Sequence, residues 1–180
     1  MASRNPFLAM GLLGLAALPA TAATITGQVL DEQGLPVAGV NLDFIVVATG
    51  QDQSVNNDST DATGHYTVVV PPQIYDVYFI PQPAKRLAGH VVPNVNLNVN
   101  QTVNVTLEEA WLVHGHVLRG DTGLGAAGVD LDFEDLATGE KIFTPGDNTN
   151  ATGFYNVLVP RGIYQVSFDG PDPEGGVPPQ

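Results

Sequence analysis

The stretch Ala62-Thr63-Gly64-His65-Tyr66-Thr67-Val68-Val69-Val70-Pro71 returns 89 residues later as Ala151-Thr152-Gly153-Phe154-Tyr155-Asn156-Val157-Leu158-Val159-Pro160. In both copies a turn signal opens a run in which alternate residues are apolar: Tyr66, Val68 and Val70, then Tyr155, Val157 and Val159. A period of two places those residues on one face of an extended chain, which is the signature of a half-buried strand.

Outward from this stretch the match continues on both sides. Ile25-Thr26-Gly27-Gln28-Val29-Leu30 aligns with Val113-His114-Gly115-His116-Val117-Leu118 at an offset of 88, and one inserted residue makes it 89. Gly39-Val40-Asn41-Leu42-Asp43-Phe44 then matches Gly128-Val129-Asp130-Leu131-Asp132-Phe133, and Ile74-Tyr75 with Phe79 matches Ile163-Tyr164 with Phe168. Such self-similarity marks a repeated structural unit. Turn residues separate the strands at Gly34-Leu35-Pro36, Thr49-Gly50, Asp61 to Gly64 and Pro71-Pro72, where Gly supplies positive φ and Pro a preset one. Short strands spaced by such turns predict an all-β chain of two tandem β-sandwiches.

Val95 to Leu107 alternates again, with Val95, Leu97, Val99, Val103, Val105 and Leu107 inward, and is expected to close the first sandwich after a long connection from Pro81 to Pro93. The second repeat has no counterpart. After Phe168 the chain runs into Gly170-Pro171-Asp172-Pro173-Glu174-Gly175-Gly176-Val177-Pro178-Pro179-Gln180, which reads as linker. A sandwich without its last strand exposes an unpaired edge. The expectation is a chain that is a fragment, its continuation supplying the strand, ahead of a partner strand or a second protomer.

Residues 1–22 read as a cleaved signal peptide: Arg4, the twelve-residue apolar run Phe7 to Leu18, and Ala20-Thr21-Ala22 as a small-x-small cleavage site. The run is too short for a membrane span, which takes roughly 18 to 20 apolar residues. With no Cys in the chain, disulfides and a lipoprotein anchor are both excluded, which fits a bacterial cell envelope, periplasm, surface or medium. The domain boundaries follow as 23–108 for the first sandwich, 109–170 for the incomplete second, and 171–180 for a Pro/Gly-rich tail.

The chain carries 6 Lys and Arg against 19 Asp and Glu, a formal charge of −13. Cleavage removes Arg4 and no acid, so the mature charge is 5 − 19 = −14. That balance argues against nucleic acid as a partner and suits solubility of a β-rich exported protein.

Gly27-Gln28-Val29 through Gly34-Leu35-Pro36-Val37-Ala38-Gly39-Val40, then Thr60-Asp61-Ala62-Thr63-Gly64-His65-Tyr66 through Val70-Pro71, resembles the carboxypeptidase regulatory-like domain family. Its pattern of G-x-V, G-x-P-x-x-G, T-D-x-x-G-x-Y and P-x-G-x-Y is met last by Pro160-Arg161-Gly162-Ile163-Tyr164 in the second copy. Three departures stand out: Gln73 where Gly162 stands, so that the turn before Tyr75 is expected to differ in shape; Asn150 for Asp61; and Leu124-Gly125 without the early proline. The resemblance implies a transthyretin-like, Greek-key sandwich of about seven strands, an accessory module of exported or surface proteins, in a fold superfamily that includes carbohydrate-binding modules. It does not imply peptidase activity.

Candidate sites are sparse. His114 and His116 share an outward strand face and could begin a metal site, but no third ligand accompanies them, and they read as exposed strand histidines. Asp130, Asp132 and Glu134 face outward, and Asp58, Asp61, Asp147, Asn148 and Asn150 sit in loops at no Ca²⁺-binding spacing, so they read as solvated turn formers. Trp111 is expected to pack the junction between repeats, and His65 to face solvent. Ser54 and Ser59, without a G-x-S-x-G, offer no nucleophile. Lys85 and Lys141 lie outside any first strand, so the Lys–Asn crosslink of related adhesin repeats is not expected.

No catalytic, cofactor-binding or metal residue is therefore assigned. The function expected is a non-catalytic spacer or docking module with a protein or polysaccharide partner on the cell surface, the alternative being a carbohydrate-binding module.

Overall fold

The computed structural model describes residues 22–170. The leader expected at the N-terminus, apart from its last residue, and the tail over 171–180 lie outside the described residues. The described chain is all-β, with one short 3₁₀ turn at Pro83–Lys85.

The first half is a two-sheet sandwich. Strand β1 (Ala23–Asp31) pairs antiparallel with β4 (His65–Val70) on one edge and parallel with the short β7 (Gln101–Thr102) and β8 (Val105–Leu107) on the other. The opposing sheet runs β3 (Gln51–Asp52), β2 (Asn41–Val46), β5 (Ile74–Ile80), β6 (His90–Asn96), all antiparallel. With β7 and β8 taken as one interrupted path along β1, this makes seven strands. Every second residue of β1, β2, β4 and β5 is buried, as the period of two requires. Ile25, Val29, Leu42, Phe44, Tyr75, Val77 and Phe79 are all sealed from solvent, and Tyr66 meets Phe79 across the sandwich edge-on at 5.8 Å.

Val95 to Leu107 does not form one closing strand. Its first residues end β6 in one sheet, the chain crosses over at Leu97–Asn100, and the rest forms β7 and β8 in the other sheet. The crossover breaks the alternation, so Leu97 is buried while Val99, expected inside, is 58% exposed. The Pro81 to Pro93 connection is likewise part strand, because β6 begins at His90. β6 is an edge strand, where Pro93 costs no ladder bond, and the bulge opposite Tyr75 to Val77 lets Asn94, at φ 56°, donate its N–H to Asp76 Oδ1 at 2.8 Å.

In the second half β9 (Ala110–His116) pairs with β11 (Phe154–Pro160), and β10 (Asp130–Asp135) with β12 (Tyr164–Asp169), both antiparallel. The registers repeat those of the first half: Val113 opposes Val157 as Ile25 opposes Val68, and Leu131 opposes Phe168 as Leu42 opposes Phe79. Its buried core is small, Leu131, Phe133, Val157 and Val159.

The turns repeat down to single bonds. Asn150 Oδ1 accepts from Thr152 N, Thr152 Oγ1 and Phe154 N just as Asp61 Oδ1 accepts from Thr63 N, Thr63 Oγ1 and His65 N. The turns before Tyr75 and Tyr164 share their hydrogen bonds although Gln73 stands in one and Gly162 in the other. Tyr75 donates its hydroxyl to Pro71 O at 2.9 Å and Tyr164 to Pro160 O at 3.0 Å, while Val47 N and Leu136 N reach Ile74 O and Ile163 O at 3.0 Å each. Gly162 has no left-handed φ, but a Cβ there would stand 2.5 Å from the Tyr164 hydroxyl oxygen and 2.6 Å from Cζ, so the tyrosine ring lies over Gly162 in a way that the Gln73 side chain does not allow in the first half.

Candidate functional site

The residues joining the halves are paired chain. β8 ends at Leu107 and β9 begins at Ala110; between them Glu109 bridges to Leu87, Ala88 donates its N–H to Glu108 O at 2.9 Å, and Ala110 donates to Arg86 O at 2.8 Å. Phe143 of the second half then reaches the first, lying edge-on to Tyr78 at 4.8 Å between ring centroids. Gly89 makes this possible, since a Cβ there would stand 2.8 Å from Phe143 Cδ1. Beside the two rings opens a cleft of ≈ 710 Å³ that also exposes His90, Glu108, Glu140 and Lys141. Rings set among donors and acceptors suit a polar ligand with an apolar face.

The residues marked by their chemistry in the sequence lie elsewhere. His114 and His116 are exposed on the outer face of β9, where both rings flank Phe154, at 6.5 and 5.1 Å. Asp130 faces solvent and Asp132 and Glu134 are half-buried, alternating with the core residues Leu131 and Phe133. Asp132 accepts from Lys141 Nζ, and that bond raises the lysine above its ordinary value. Asp61 is a turn former: the Thr63 hydroxyl, then the backbone N–H groups of Thr63 and His65, hold its carboxyl below the usual range. Asp147 takes a hydrogen bond from Thr144 Oγ1, and burial pushes its carboxyl up. His65 is exposed, its Nδ1 3.0 Å from Thr63 Oγ1. Among the described residues no three His, Asp or Glu side chains converge on a possible metal position.

Trp111 does not pack the junction. It is 62% exposed on β9, opposite Val159, because no described residue covers this position, whereas the aligned Ala23 is buried in the first half. The junction is packed by Tyr78, Gly89 and Phe143 instead.

Among known proteins, the sequence profile of the carboxypeptidase regulatory-like domain matches residues 24–108. Residues 24–108 are a carboxypeptidase regulatory-like domain. No curated protein matches the sequence. Solved structures similar to the chain include the Bacillus anthracis TIE protein, at 14% identity over 84% of this chain and 28% of that one with a TM-score of 0.36. The streptococcal ancillary pilin follows at 14% identity, 85% and 60% coverage and a TM-score of 0.37. A DUF3823 family protein from Bacteroides ovatus matches at 9% identity, 84% and 83% coverage and 0.36. The chain thus spans 28% of the TIE protein's length and 60% of the ancillary pilin's.

Within the carboxypeptidase regulatory-like domain the repeated glycine and tyrosine have one job. Tyr66 donates its hydroxyl to Val103 O at 2.6 Å, and that carbonyl lies where a Cβ on Gly27 would stand 1.8 Å from it. The tyrosine latches the β7–β8 path onto β1 and the glycine clears room for it. The cleft between the halves was invisible in the sequence, since Tyr78 lies on an outward strand position and Phe143 in a segment without period. The sole local hint was Gly89, a glycine with no turn to explain it.

Proposed function

We propose that the chain is a non-catalytic module exported to the bacterial envelope or medium, two sandwiches in tandem serving as a stiff spacer and docking surface. The observation that carries this reading is the connection at Glu108 to Ala110, which is bonded to Arg86–Ala88 and leaves no free chain between the halves, with Phe143 seated on Tyr78. A flexible joint needs unpaired residues to absorb rotation; here each is held. The acidic surface and the cysteine-free composition support export, and the match of residues 24–108 to the carboxypeptidase regulatory-like domain supports a non-catalytic role. Heteronuclear NMR relaxation on residues 23–180 tests this: both halves should report one rotational correlation time, and two independent times would refute the spacer.

A second reading, carbohydrate binding, is favoured by the Tyr78–Phe143 cleft with its ring edges among His90, Glu108 and Lys141. Glycan-array and polysaccharide pull-down screens, with and without Ca²⁺, decide it: selective binding lost in Tyr78→Ala would make the module a sugar binder, whereas silence in a folded sample leaves the spacer reading.

A further inference from the structure

The walls of the Tyr78–Phe143 cleft meet at a corner. The two ring planes stand at 75° with their centroids 4.8 Å apart, so they do not form the single flat platform on which a neutral sugar stacks. Each ring carries negative charge on its face, and two faces set at a corner enclose a small positive group from two sides. Gly89 keeps the corner in shape, since a Cβ there would stand 2.8 and 2.9 Å from Phe143 Cδ1 and Cε1 and push the ring away.

The charges around the corner have the sign that suits a cation. Glu108 and Glu140 line the cleft, both are exposed, and neither forms an ion pair among the described residues. The one lysine of the lining, Lys141, is engaged by Asp132, which lies outside the lining. Two carboxylates thus face the cleft against a cation that already has its partner. The chain as a whole carries a formal charge of −13, and a cleft with low-dielectric walls concentrates such a field, drawing cations in and keeping anions out. The volume of ≈ 710 Å³ falls within the roughly 300 to 1,000 Å³ that holds a ligand of several rings. A bare ammonium ion would leave most of it to water.

We propose that this cleft binds an oligosaccharide through the ammonium group of an amino sugar, held in the corner of Tyr78 and Phe143 with Glu108 and Glu140 as its counter-charges and His90 within reach of the sugar hydroxyls. The inference rests on the carbohydrate reading of the same cleft and adds the charge that the sugar carries. A neutral sugar would take water from two carboxylates and return no partner to them, which is unfavourable. An acidic sugar would meet like charge. An amino sugar supplies the cation for the acids and the C–H surface for the rings in one ligand.

The test titrates the full chain, by calorimetry and by NMR, with the tetramers of glucosamine, N-acetylglucosamine and glucose, and with spermidine as an amine without a sugar ring. The glucosamine tetramer should bind about tenfold more tightly than the other two, the combined value of two exposed charge pairs, and its advantage should shrink as salt is added. Signals of Gly89 and His90 should shift and those of His114 should not. Glu108→Gln and Glu140→Gln should each weaken the glucosamine tetramer about threefold and together remove its advantage, with the affinity for the glucose tetramer unchanged. Equal binding of all three tetramers would overturn the ammonium assignment and leave the carbohydrate reading in place, whereas binding of none would overturn both. Spermidine binding as tightly as the glucosamine tetramer would overturn the amino sugar as the ligand. Glucosamine binding that survives undiminished in the double Gln variant would show attraction to the acidic surface at large and overturn the site. The spacer reading fails on a different measurement, independent tumbling of the halves.

Discussion

The hydroxyl of Thr60, buried between the sheets, accepts from Val40 N at 2.9 Å and donates to Val37 O at 2.7 Å; Thr149 does the same with Val129 N at 2.8 Å and Ala126 O at 2.7 Å. Thr60→Val keeps the shape and orphans two buried backbone groups, so it should cost roughly 3 kcal/mol in denaturant unfolding. Thr149→Val should destabilise the second half in the same way. The neighbouring aspartate behaves differently from its counterpart. Asp61 in the folded chain titrates below the ordinary value of 3.8, since its oxygens are held by Thr63 and His65 donors. A depressed carboxyl stabilises at all pH above the unfolded value and loses that contribution as pH falls through the folded one. Below about pH 4 the amide signals of Thr63 and His65 should therefore move, while those of Thr152 and Phe154 stay, because Asn150 carries the same bonds without a titrating group. Asp61→Asn should remove the acid response and keep the turn.

At the level of elements, the glycine–tyrosine pair separates the two halves. Gly27→Ala drives a methyl into Val103 O, a backbone atom that cannot step aside without lifting β7 and β8 off β1, so the first sandwich should lose several kcal/mol of stability. Gly115→Ala meets only the Tyr155 ring, which can rotate, and should change the melting midpoint little. Tyr66→Phe should cost about 1 to 2 kcal/mol, the lost bond and an unpaired Val103 carbonyl, whereas Tyr155→Phe should be neutral in the unliganded chain. The repeat, its period and its register were all readable, because strand alternation and turn chemistry are local. The crossover at Leu97–Asn100 was not: alternation through Val99 looks the same whether the chain stays in one sheet or changes sheets, and only the pairing partners differ.

Across the molecule, the Tyr78–Phe143 contact and the paired connection at Glu108 to Ala110 join the halves. Removing the Phe143 ring should let the second half swing about Glu108 to Ala110. Phe143→Ala should broaden the pair-distance distribution in small-angle scattering and split the correlation times of the halves, with secondary structure by circular dichroism unchanged. Trp111, the residue that sequence reasoning assigned to this junction, should by contrast be replaceable by Ala without effect on tumbling, since it is exposed and lies on the open edge of β9.

The amino-acid sequence alone determined the all-β class, the repeat with its register and turns, and the family of the first half, for each of these is written in residues close together in the chain. Only the tertiary structure decided that Tyr78 and Phe143 meet over Gly89, that the chain changes sheets at Leu97–Asn100, and that Trp111 lies exposed rather than in the junction. Those outcomes depend on which distant segments share space, and strand alternation carries no information about a partner's position.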